Sequence, residues 1–167
     1  MSSILEESFN LSDSPVGDFQ PGFYSANPIP YESNLKQSLD TELLTLKKLH
    51  FLAVHSLDYG TSGEARERFI EFRDAFRSYL TNISVKLYVH LRHALSDDPV
   101  NSSFFDKFEQ ETRSMVSEFT DFLVTYSKPG AVFDSQFKGM FIEMGARFVR
   151  RSKQERSHLF SLYKPTF

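Results

Sequence analysis

The sequence predicts an all-α protein, an up-down antiparallel four-helix bundle preceded by an extended or disordered N-terminal arm. Three observations carry that reading. Apolar residues recur at three- and four-residue spacing almost without interruption from residue 36 onward. Helix stop and start signals divide that stretch into four long segments joined by short connections, which favours antiparallel neighbours. The first 35 residues instead hold four of the seven prolines, and proline removes amide donors and disfavours helix at the residue before it. The chain accordingly divides into an arm (1–35), a bundle (36–163) and a short C-terminal tail (164–167).

Each helix is legible in its own stripe. Helix 1 (about 37–57) places Leu39, Leu43, Leu46, Ala53 and Leu57 on one face. The stretch "DYGTSGE" ends it, and Thr61 with Glu64 has the spacing of a capping box for helix 2 (about 64–95). There Phe69, Phe72, Phe76, Leu80, Ile83 and Leu87 align. "SDDPVNSS" closes that run, with Asp98 as a cap and Pro99 in a first-turn position for helix 3 (about 100–127). Helix 3 directs Phe104, Phe108, Met115, Phe119 and Phe122 inward. It stops at "KPG", and helix 4 (about 133–162) carries Phe137, Phe141, Met144, Phe148, Arg151, Glu155 and Leu159.

Composition removes several function classes. The 167 residues contain 18 phenylalanines, which supply a large apolar core, and no cysteine. Disulfides, thiolate metal ligands, iron–sulfur clusters and a cysteine nucleophile are therefore excluded. The lack of cysteine fits a reducing compartment, and "MSSILEESFN" has neither a basic nor an apolar leader segment, so a soluble, cytoplasmic protein is expected. No apolar run is long enough to span a bilayer. The arm carries Glu6, Glu7, Asp13, Asp18 and Glu32 with no lysine or arginine, and the remainder is close to neutral. Neither half has the charge of a nucleic-acid or membrane binder. No Gly-rich phosphate loop, GxSxG or HExxH is present, and a non-enzymatic role follows.

Bundles build metal sites from inward histidines and carboxylates, which makes the five histidines candidate ligands. His90 and His93 sit near the end of helix 2 and read as half-exposed residues favoured by the helix dipole. His50 and His55 fall on different faces of helix 1. On helix 4, Arg151 and Glu155 form an i, i+4 pair on the inward stripe, readable as a semi-buried salt bridge or as a solvated couple. An unconventional cation site would need Glu155 and His158 with His50 or His90, holding iron or another divalent cation. His90 is also the one plausible acceptor if the bundle is a histidine phosphotransfer domain.

The segments "YLTNISVKLYVHL" on helix 2 and "RSKQERSHLFSL" on helix 4 resemble the hemerythrin-like family, in the bacterial form called HHE cation-binding domains. The resemblance spans roughly 37–163, with specific motifs over about 25 residues. It implies a bundle that binds iron through inward histidines and carboxylates. Carried over by position, the family's helix 2 histidine falls on Tyr79, its carboxylate on Ile83 and the neighbouring acid on Ser84. Helix 3 has no histidine, Arg151 stands where a ligand histidine is common, and Glu155 alone survives. A guanidinium repels a cation. The resemblance thus implies a bundle that has lost its di-iron site, binds no cofactor, and acts as a regulatory or interaction module. A protein partner or homodimerisation is expected through aromatic residues left on the surface.

Overall fold

The computed structural model describes residues 30–165; the readings made for 1–29 and for the last two residues lie outside them. The described residues form four helices and the connections between them, and no strand occurs among them. We number them α1 (Leu35–Tyr59), α2, α3 (Pro99–Ser127) and α4 (Ser135–Leu162). Helix α2 is continuous through three parts: an α-helical Ser62–Asn82, a π-helical Ile83–Tyr88 and a final α-helical Val89–Ala94. Around the bundle α1 lies against α2 and α4, and α3 closes the square against α4 and the end of α2.

The helix starts are fixed locally. Thr61 accepts from the Glu64 amide at 3.1 Å while the Glu64 carboxylate accepts from the Thr61 amide at 3.1 Å, completing the capping box. Asp98 caps α3 through the Asn101 amide with Pro99 in the first turn, and Asp134 caps α4 through the Phe137 amide. Cross-helix polar contacts then tie the ends together. Arg66 at the start of α2 donates to the Ser127 carbonyl at the end of α3, and Lys138 pairs with Asp58 across α4 and α1 at 2.6 Å.

One half of the interior is built from phenylalanine. Phe69 and Phe72 of α2, Phe122 of α3 and Phe137 of α4 all pack on Phe141, the first two edge to face and the last two stacked, with ring centroids 5.2–6.2 Å apart. Helix α1 joins through His50, whose ring lies 4.4 Å from that of Phe141. Its Nε2–H donates to the Phe141 carbonyl at 2.9 Å, since a carbonyl can only accept. Burial lowers the His50 pKa, the carbonyl bond offsetting part of that. The imidazole is thus a neutral packing group.

Two expectations need correction. Phe104 points outward (43% exposed) and its neighbour Phe105 takes the core position at 1%. The inward line of α3 runs Phe105, Phe108, Thr112, Val116, Phe119, which is a steadier 3.6-residue period than one starting at 104. His90 is buried rather than half-exposed. Tyr31 and Tyr163 cover it at 6.0 and 4.7 Å between centroids, and its Nε2–H donates to the Lys164 carbonyl. The end of the arm and the start of the tail therefore belong to the bundle, with the Glu32 amide donating to the Tyr163 hydroxyl at 2.8 Å.

The close approach of α1 to α4 depends on Gly145, because a Cβ there would run into the His50 ring. Helix propensity favours alanine over glycine by about 1 kcal/mol, but forcing a methyl into a packed contact costs about 1–3 kcal/mol. We expect Gly145→Ala to destabilise the wild-type chain and to stabilise a His50→Ala background. Chemical denaturation of the four members of that double-mutant cycle measures the coupling.

Candidate functional site

The polar half of the interior is organised by the irregular stretch of α2. In Ile83–Tyr88 the ladder widens to i→i−5, closing with the Val89 amide on the Ser84 carbonyl. A period near 3.6 cannot place Tyr79, Ser84 and Tyr88 together on the core side with Leu80, Ile83 and Leu87. The wider turn does, and all six are buried. Single-turn π segments inside helices occur frequently at functional sites, so this level of the bundle is the first place to look.

Opposite it lie Thr112 of α3 and Glu155 of α4. Glu155 is 6% exposed and accepts one hydrogen bond at Oε1 from the Tyr88 hydroxyl, 3.2 Å away. Among the described residues its Oε2 has no hydrogen-bond partner. Burial pushes the Glu155 pKa up to about 7; the Tyr88 bond, then the charges of Arg151 and Arg156, hold it from rising further. Burial also raises the pKa of Tyr79 and Tyr88, with the nearby Glu155 adding to it, so both stay neutral phenols. The space these residues share, lined also by Ile83, Ser84 and Phe148, measures about 20 Å³, room for a single water molecule.

Arg151 does not close the expected pair with Glu155. Its guanidinium crosses to α3, where Nε donates to the Thr112 hydroxyl at 2.8 Å and the terminal nitrogens reach the Phe108 carbonyl and Glu111. It lies 3.6 Å above the Phe108 ring, a cation–π contact. The physical reason is that α3 offers a carbonyl, a hydroxyl, a carboxylate and a ring face together, and a planar five-donor group uses all of them. A second buried carboxylate, Glu109, is neutralised by Arg92 at 2.7 Å and Arg113 at 3.0 Å.

The positions carried over from the hemerythrin resemblance therefore separate. Tyr79, Ile83 and Glu155 do line one small cavity, while Arg151 faces α3. The alternative cation set does not assemble. His50 is bound to the Phe141 carbonyl, His90 to the Lys164 carbonyl, and His158 stands edge-on to Phe104. Among the described residues no three histidine or carboxylate groups converge on one point. Two carboxylates line the cavity, Glu155 and Glu109, but Glu109 is held by the guanidinium groups of Arg92 and Arg113 and no histidine lines the space. A di-iron or mononuclear cation wants several free nitrogen or carboxylate donors and no cation beside it, so the residues present do not fit such a group. Buried beneath two tyrosines, His90 is also unsuited to receive a phosphoryl group.

Sequence reasoning missed Tyr88, Thr112 and Glu109. For Tyr88 a signal exists in the five-residue steps from Tyr79 to Ser84 and from Ile83 to Tyr88, which a search for three- and four-residue spacing passes over. Fold and site together define an all-α four-helix bundle with a partly polar interior. No family model, no curated protein and no solved structure matches the chain. No helix among the described residues is long and apolar enough to cross a membrane.

The raised Glu155 pKa fixes the sign of a pH effect. Below its ordinary value of 4.5 the carboxyl is neutral in both states. From there up to about 7 the unfolded chain loses the proton that the folded chain keeps. Stability therefore falls with rising pH by about 1.4 kcal/mol per unit across that window, on the order of 3 kcal/mol in all. Urea unfolding at pH 5 and pH 8 should show this loss for the wild type and a much smaller one for Glu155→Gln, which stays neutral at both.

Proposed function

We propose that this protein is a non-catalytic interaction or regulatory module of the cytoplasm, a hemerythrin-like bundle that has lost its metal centre and works through its outer surface. The observation that carries the reading is how little space remains at the Glu155 level of the bundle. Where a hemerythrin-like bundle would hold a cation, Tyr79, Ile83, Tyr88 and Glu155 enclose room for one water molecule only. A carboxyl neutral over much of the accessible pH range and bonded to a phenol joins α4 to α2 without a metal. Arg151, moored on Thr112 and Phe108, joins α4 to α3 in the same way. The helix 2 and helix 4 cadences support the family part of the reading.

Such a module recognises proteins rather than nucleic acid or membrane. Several of its surface basic residues are paired with carboxylates, among them Arg147 with Glu118 at 2.7 Å, Arg156 with Asp40 at 2.9 Å and Lys138 with Asp58. Outward-facing apolar side chains, in contrast, are numerous on α1.

Elemental mass spectrometry of protein purified without chelator or affinity tag tests the reading. We expect well below a tenth of an equivalent of iron, manganese or zinc, and the same melting temperature with and without chelator. One or two equivalents of metal, lost in Glu155→Ala, would contradict it.

A further inference from the structure

The outer face of α1 is the largest departure from an ordinary bundle surface. Leu44 is 55% exposed, Phe51 65%, Leu52 39% and Tyr59 79%, and all lie on the side of the helix opposite its buried line of Leu39, Leu43, Leu46 and Ala53. Lys48 and His55 complete the stripe. Phe51, His55 and Tyr59 form a ladder, with ring centroids 6.0 and 4.8 Å apart along the helix. A rigid aromatic ladder facing solvent has a hydration cost and no role in the fold that its contacts reveal.

We infer that this face binds a second copy of the chain, α1 against α1 in a two-fold, antiparallel dimer. The inference rests on the reading of the bundle as an interaction module and names that module's partner. The positions of the stripe are symmetric about the midpoint between Phe51 and Leu52, 44 with 59, 48 with 55 and 51 with 52. An antiparallel copy therefore sets Leu44 against Tyr59 of the partner subunit and Phe51 against Leu52 of the partner subunit. Lys48 meets the edge of a histidine there, its stem adding apolar cover and its ammonium reaching to the rim.

Charge on the flank supports a self-match. In a two-fold pair the same flank of each helix meets itself, and on one flank of this stripe stand Lys47 and Asp58. The register leaves Lys47 two residues, about 3 Å, along the axis from Asp58 of the partner subunit. Asp58 uses one oxygen for Lys138 within its own chain and has a second to offer. The acidic segment 1–29, with Glu6, Glu7, Asp13 and Asp18, is the competing occupant. The stripe serves it poorly, having Lys48 as its one fixed charge. A single-helix contact about 22 Å long is small, so the dimer is of roughly micromolar to tens-of-micromolar affinity.

Sedimentation equilibrium of the full chain from about 5 µM to about 0.5 mM, a range bracketing that affinity, tests the inference. We expect a monomer–dimer equilibrium that Phe51→Asp abolishes, with unchanged helical circular dichroism because the ring is outside the core. A monomer throughout, the result if 1–29 or another protein takes the face, would overturn it, as would a dimer that survives Phe51→Asp. The register has its own test in a chain without cysteine. Under diamide, Leu52→Cys should cross-link to its own copy, and Leu44→Cys only when mixed with Tyr59→Cys. Self-linking of Leu44→Cys would show a parallel pair and refute the geometry. A metal-free monomer removes this partner and leaves the interaction reading standing, whereas stoichiometric metal removes that reading whatever the oligomeric state.

Discussion

Phe141 is the ring on which the bundle converges. It touches an aromatic side chain from α1, two from α2, one from α3 and one from its own helix, and its carbonyl accepts a hydrogen bond from His50. Rings of this size keep helix axes apart, and aromatic pairs favour the edge-to-face and stacked arrangements found around Phe141. Where α1 does come close, at Gly145, the missing Cβ is what admits the imidazole. The spacing that the phenylalanines impose at one end must then be filled at the other.

That second half is filled by polar groups whose charges are removed or moored, although Glu155 Oε2 has no hydrogen-bond partner among the described residues. Glu155 answers burial by holding its proton, helped by a phenol donor. Glu109 answers it with two guanidinium partners. Arg151 lies along α3, spending its donors on a hydroxyl, a carbonyl and a carboxylate. The π segment of α2 is the backbone's part in this, because it turns Ser84 and Tyr88 toward the same level as Tyr79. Widening a helix weakens its ladder locally, and the bond from Tyr88 to Glu155 is among the interactions that offset that cost.

What could be read from the sequence follows from the range of the physics involved. The four helices and their boundaries were legible because Thr61 with Glu64, and Asp98 with Pro99, act within one turn. The aromatic line of α4 was legible because Phe137, Phe141 and Phe148 recur on one face over about three turns. Arg151 was misplaced because its choice between Glu155 on its own helix and Thr112 on another depends on a neighbour that spacing cannot supply. His90 was misjudged since its cover, Tyr31 and Tyr163, comes from the arm and the tail. Tyr88 was passed over since its burial rests on a change of helical period.

The proposed role requires Glu155 to be a proton-holding bridge between α4 and α2 rather than a ligand awaiting a cation. Carbon-13 NMR titration of glutamate side-chain carboxyls in the full chain measures that directly. It should show one carboxyl titrating near pH 7, well above the rest, and missing from the Glu155→Gln spectrum. All glutamates titrating between about 4 and 5, the ordinary range for exposed carboxyls, would contradict it.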